Sequence, residues 1–126
     1  MKKMTDPRLA NVFDALTFSR LMGQYQALPQ HDIQQRWLVL EAAHVLGQTR
    51  FKPHWRVHVA MLRLAWRTAD RKEILGQAMR LALVPVGHVV HRLPLGNHGR
   101  SNVSAFVPMP VRADIAQIIA RAQDKS

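Results

Sequence analysis

The stretch "LEAAHVLGQTRFKPHWRVHVAML", residues 40–62, decides how this chain folds. It sets Glu41, His44, His54 and His58 among apolar residues, on either side of a short polar break. On a helical wheel of about 100° per residue, Arg56, Arg63 and Arg67 fall together. His54, His58, Met61 and Ala65 fall almost directly opposite, flanked by Leu62. Arginines belong in water, so both histidines are predicted to point inward. Upstream, Ile33, Trp37, Leu38, Val39, Leu40, Val45 and Leu46 leave no clean wet face, the pattern of a central, buried helix. On that helix Gln34, Glu41, His44 and Gln48 share one narrow stripe. A buried polar group without a partner costs ~1–3 kcal/mol, and an unpaired charge more. The nearest partners lie on the inward face of the next helix, so Glu41, His44, His54 and His58 are predicted to converge.

Outward from this pair, prolines and aspartates punctuate the chain. Asp6-Pro7 reads as an N-cap followed by a first-turn proline. A first helix is predicted from there to about Leu28, ended by Pro29, with Leu9, Val12, Phe13 and Leu16 at helical spacing. The second helix spans roughly 31–48 and the third runs from Pro53 to about Thr68. The fourth starts at the Asp70 cap and stops near Val84, before Pro85. Residues 85–110 carry four prolines and three glycines, and are expected to form an ordered loop over the helices. A last amphipathic helix occupies about 111–123, with Val111, Ile115, Ile118, Ile119 and Ala122 on one side. Short linkers favour antiparallel hairpins. Asp32 and Asp70, each in a turn between helices, stand 38 residues apart, an architectural likeness to tetratricopeptide-like repeats. Those repeats have a period of ~34 residues, and their Trp, Gly, Tyr and Ala positions are not reproduced. The expected fold is all-α, one domain over 1–126. Trp37, Trp55 and Trp66 fall at helical core positions and are expected to pack there.

The composition is globular, 48% hydrophobic and 21% charged, with no cysteine. Disulfides, thiolate metal sites, iron–sulfur clusters and thiol nucleophiles are therefore excluded. Neither a secretory signal nor a run of the ~18–20 apolar residues needed for a membrane span is seen, and a cytoplasmic protein is expected. The net charge is +10, and thirteen of the eighteen basic residues are arginine, scattered along the chain. Such a balance favours anionic partners. No aromatic-interleaved basic run of the kind that stacks bases is present, so specific nucleic-acid recognition is not indicated.

The titratable cluster suits three chemistries: a metal or metal-cofactor site, a satisfied polar network, or proton transfer. Glu41-x-x-His44 and His54-x-x-x-His58 each bring two ligand types within one helical turn, and Met61 adds a soft thioether. The start of a helix favours neutral His54, the form that ligates metals. Against this, Lys52 and Arg56 repel a divalent cation, and Glu41 reads as the only carboxylate on hand. A di-iron site would need a second Glu-x-x-His, and no His-Glu-x-x-His of a zinc peptidase is present. His88, His91 and His98 could fold over the cluster as further ligands. The same loop, with Gly96, Asn97, Gly99, Arg92 and Arg100, could instead cradle an anion or form a surface turn. His31, beside a helix start, is expected in solvent. Serine-nucleophile motifs, phosphate loops and dinucleotide fingerprints are absent, and no catalytic residue is indicated.

With "HVLGQ" (44–48), "PHWRVHVAML" (53–62), "GQAMRLALVPVGH" (76–88) and "LPLGNHGRSNVSAF" (93–106) in view, the chain resembles a family of short bacterial proteins described only as a domain of unknown function. The resemblance covers most of 35–109 and implies a compact helical bacterial protein, with no assigned activity and so no catalytic residues. The leading expectation is a small protein binding zinc, copper or iron, or a metal-containing cofactor, through Glu41, His44, His54 and His58. His88, His91 and His98 would close over it. The alternative is a helical-repeat-like interaction module with structural histidines, whose arginine faces dock an acidic protein partner.

Overall fold

The computed structural model describes residues 12–90, 99–100 and 110–124, and among these the fold is all-α. Five helices follow in order: α1 (Ala15–Ala27), α2 (Ile33–Gly47), α3 (Phe51–Arg67), α4 (Arg71–Val90) and α5 (Ala113–Asp124).

Each start and stop has a local cause. Asp14 caps α1, its carboxylate accepting from the Leu16 N–H at 3.3 Å and from the Thr17 hydroxyl. Leu28 turns to extended backbone (ψ 145°) ahead of Pro29, which disfavours a helical conformation in the residue before it. Asp32 caps α2, and Asp70 caps α4 by accepting from the Glu73 N–H at 3.2 Å. Pro53 falls in the first turn of α3, where backbone N–H groups have no helical partner to lose. Between α3 and α4 the chain reverses through Ala69, which holds a left-handed φ of 56°.

α2 is the central element. From Val39 to Gly47 every residue is buried, and the helix packs on α1, α3 and α5. Gly47 permits the tightest approach, since a Cβ there would lie 2.9 Å from Phe18 Cε1 and 3.1 Å from Pro53 Cβ. α5 contributes Ile115, Ile118, Ile119 and Ala122 to the same core. Its last turn is tied to α1 by Arg20, which donates to the Ala122 carbonyl at 2.8 Å. The neighbours α1–α2 and α3–α4 each pack side by side across short connections.

Several expectations change. Residues 12–14 are not helical, so α1 begins at Ala15, eight residues after the expected first helical residue Pro7, and Val12 and Leu16 are exposed. The proposed Asp6-Pro7 start lies outside the described residues. α4 does not stop at Pro85 but runs through it to Val90. An interior proline costs about 3 kcal/mol through a lost hydrogen bond and a ring clash. The added turn places His88 against His54 and Phe51, contacts that help hold it. Residues 85–90 are therefore helix rather than loop. Trp37 is core, but Trp55 is 37% and Trp66 70% exposed, so the wheel overstated their packing.

α4 also faces the other way from its hydropathy. Its buried stripe is Glu73, Gln77, Arg80 and Val84, while Leu75, Met79, Val86 and Val89 are exposed. α3 packs against α4, and the inward histidines of α3 require polar partners, which that stripe supplies.

Candidate metal centre

α3 turns its histidines inward and its arginines to solvent, as its periodicity predicts. His54 and His58 are buried, as are Met61 and Ala65, while Arg56, Arg63 and Arg67 are exposed. One turn of α2 brings His44 across to meet them. The ring centroids of His44, His54 and His58 lie 5.0, 4.8 and 5.0 Å apart, pair by pair. Each of the three offers a nitrogen within 4.8 Å of the others, so a common point lies within about 2.8 Å of all three. A zinc–imidazole bond is ~2.0–2.1 Å, a gap that ring rotation can close.

The surroundings keep His54 and His58 neutral. Burial first, then neighbouring His58 and His88, bring His54 down to about 3 from the ordinary 6.5. Burial brings His58 down to about 4, opposed by its hydrogen bond with Gln77, with Arg80 lowering it further and Glu73 raising it. At neutral pH both carry the lone pair that a metal needs.

For His58 the tautomer follows from the hydrogen bonds. The Gln77 amide nitrogen donates to Glu73 Oε2 at 3.0 Å and to the Gly99 carbonyl at 2.9 Å. That fixes the amide oxygen as the group 2.7 Å from His58 Nδ1. An oxygen accepts, so Nδ1 carries the hydrogen and the lone pair is on Nε2. This is how metal-binding histidines are usually oriented, the second nitrogen donating to a fixed acceptor. His54 Nδ1 and His88 Nε2 are 3.0 Å apart and share one hydrogen. Only the tautomer in which His54 donates leaves its Nε2 lone pair for a ligand.

Glu41 is buried, as its helix requires, but two arginines engage it. Arg112 donates to its Oε1 at 2.8 Å and Arg100 stands 3.8 Å from its Oε2. Burial raises the Glu41 carboxyl above its ordinary value, while Arg112 and Arg100 pull against that. Glu41 is not the sole carboxylate nearby: Glu73, 3% exposed, accepts from Arg100 Nε at 3.2 Å. Arg100 thus spans both buried glutamates, with its guanidinium 4.1 Å over the Trp37 ring. His91 and His98 lie outside the described residues, and His31 is exposed. Within the expected stripe on α2, Gln48 is fully buried and Gln34 is exposed.

Glu73, Gln77, Gly99, Arg100 and Arg112 were not singled out as partners of the cluster. One signal existed for α4: Glu73, Gln77, Arg80 and Val84 recur at helical spacing, a polar stripe suited to facing the histidines of α3. Arg112 comes from a distant element and had no local signal.

Fold and site together define a small all-α domain with a buried triad of histidines. Residues 14–119 match the family model described as "Protein of unknown function (DUF3703)", and the chain belongs to that family. No curated protein and no solved structure matches it.

Proposed function

We propose that the protein holds one transition-metal ion between α2 and α3, with His44, His54 and His58 as its ligands. The observation that carries this reading is the single space enclosed by three buried imidazole nitrogens within 4.8 Å of one another. Neutral imidazoles suit zinc, copper and iron, and three protein ligands leave a coordination position for an exogenous group. Glu73 acts through Gln77 on His58, and His88 orients His54. Glu41 balances the two arginines that engage it, Arg100 and Arg112. No helix among the described residues is long and apolar enough to cross a membrane, and the cysteine-free sequence suits a reducing cytoplasm.

A second reading has its own support in the hydrogen bonds of His54 and His58, which already satisfy one nitrogen of each ring. In it the histidines fix how α3 meets α4, and the exposed arginines of α3 engage an acidic partner.

Elemental mass spectrometry of the purified protein, with thermal unfolding in added zinc, copper or iron, separates the two. Metal binding predicts one ion per chain and stabilisation of RT ln(1+[L]/Kd), about 2.7 kcal/mol at a hundredfold excess over Kd. His54→Ala and His58→Ala should each abolish it while the helical signal persists. A wild type indifferent to all three metals, beside a destabilised His58→Ala, decides for the structural network.

A further inference from the structure

On the far side of α3 from the wall it shares with α4, α1 and α3 flank a groove of about 560 Å³. Among the described residues its lining includes four arginines, Arg36, Arg56, Arg63 and Arg67, and no carboxylate. Three of them sit on α3, and at 1.5 Å rise per residue Arg56 and Arg67 are roughly 16 Å apart along the helix. The fourth is the informative one. Arg36, in the first turn of α2, is 3% exposed. Its hydrogen bonds run through NH1 alone, to the carbonyls of Leu28 at 3.0 Å and Tyr25 at 3.4 Å. Its Nε is buried without a partner, and no carboxylate among the described residues pairs with it. The Tyr25 ring, 4.3 Å from the guanidinium carbon, partly compensates the charge.

A buried guanidinium without a counter-ion is unfavourable, and an anion that reached it would offset that cost. The guanidinium is also held in place before any ligand arrives, by its two carbonyl bonds. Met22, Val59, Ala60 and Trp55 line the same groove, so the ligand has an apolar or planar part as well as charge. The volume falls within the ~300–1,000 Å³ of small-molecule sites. A polypeptide lying along α3 would meet the exposed arginines but would not need a buried one.

We propose that this groove binds a small organic phosphate of the nucleotide kind, its phosphoryl oxygens on Arg36, Arg63 and Arg67 and its apolar or planar portion against Trp55 and Val59. The site is separate from the histidine triad and does not depend on a metal there.

Isothermal titration of the chelator-treated protein with ADP, inorganic pyrophosphate and tetraglutamate, in buffer of near-physiological salt, tests this. One ADP should bind per chain, more tightly than pyrophosphate or tetraglutamate. Each charge-assisted contact removed should weaken binding roughly tenfold or more. Arg63→Ala, at an exposed position where folding is not at stake, should show this, and Arg36→Met should show it more strongly. Absence of saturable ADP binding overturns the proposal, as does ADP affinity unchanged in Arg63→Ala and Arg36→Met. Pyrophosphate binding as tightly as ADP would remove the organic part of the ligand, and tetraglutamate doing so would assign the groove to an acidic polypeptide.

Discussion

His58 Nδ1 stands 2.7 Å from the Gln77 amide oxygen, and that amide is held in one orientation by Glu73 and the Gly99 carbonyl. Four residues from three parts of the chain thus decide which nitrogen of one buried imidazole carries its hydrogen. The same arrangement makes a site on α3 depend on α4, so α4 can be altered to test the metal reading without touching a ligand.

Gln77→Leu removes the acceptor and leaves His58 Nδ1 without a partner. Loss of an orienting partner of this kind typically lowers metal affinity ~10–100-fold. The fold should also lose about 1–3 kcal/mol, because buried groups of His58 and Glu73 lose a hydrogen bond. Competition with a chromophoric chelator measures the first and urea unfolding the second. Unchanged affinity in a folded Gln77→Leu would mean that the orientation of His58 does not matter to the ion.

Acid should unfold the metal-free protein earlier than its carboxylates alone would predict. His54 and His58 have native values of about 3 and 4, against 6.5 unfolded. Between those limits the unfolded chain takes up protons that the native state refuses, so stability rises with pH in that window. The contribution is complete above about pH 6.5 and is lost as pH falls toward 3, on the order of several kcal/mol for the pair. Urea midpoints in chelator at pH 7, 5 and 4 should fall steadily, and less steeply in a His54→Gln/His58→Gln double variant. A wild-type midpoint flat across that range would contradict the burial of neutral rings.

How much of this was legible in the sequence depended on periodicity. α3 separates Arg56, Arg63 and Arg67 from His54 and His58 so cleanly that a wheel finds the inward histidines. α2 is apolar all round, so burial of Glu41 and His44 followed. Which partner each would meet did not follow: Glu41 is claimed by Arg112, seventy-one residues away, and no local pattern reports a contact of that range. α4 was hardest, because its apolar residues Leu75, Met79, Val86 and Val89 face outward while a polar stripe faces in. Hydropathy alone orients such a helix wrongly, and only the unmet polar demand of α3 reveals it. Pro85 misled for a related reason, since a local helix-breaking rule was overridden by tertiary contact through His88.

The Glu41–Arg112 pair should respond unequally to removal of its two members. Arg112 is 44% exposed at its side chain and Glu41 only 5%. Glu41→Gln removes a buried charge and leaves an arginine that can return to water, so stability should change by no more than about 1 kcal/mol. Arg112→Ala leaves a buried carboxylate with only Arg100 to oppose its desolvation, and should cost more. Burial already holds the Glu41 carboxyl above its ordinary value, so its charged form disfavours the native state at neutral pH. The deficit of Arg112→Ala relative to wild type should therefore shrink as pH falls and Glu41 takes a proton. Equal penalties at pH 7, constant with pH, would show that the pair does not carry this electrostatic load.

Gly99 closes the site on the side of α2. It holds a φ of 91°, a conformation that L side chains rarely adopt. A Cβ built there would lie 2.7 Å from His44 Cδ2 and 2.8 Å from its Cγ. His44 has little room to retreat, with His54 and His58 on its other sides. Gly99→Ala must therefore move the backbone, weakening the Gly99 carbonyl bond to Gln77 and with it the setting of His58. A loss of about 1–3 kcal/mol is expected from strain and overcrowding, together with weaker metal binding. Gly23 provides the control: it lies inside α1 with nothing within 4 Å of an added Cβ. Gly23→Ala should gain about 0.5–1 kcal/mol from helix propensity alone. Chemical unfolding of the two variants, with metal titration of each, measures both effects. If Gly99→Ala were as well tolerated as Gly23→Ala, residue 99 would not form a wall of the histidine site.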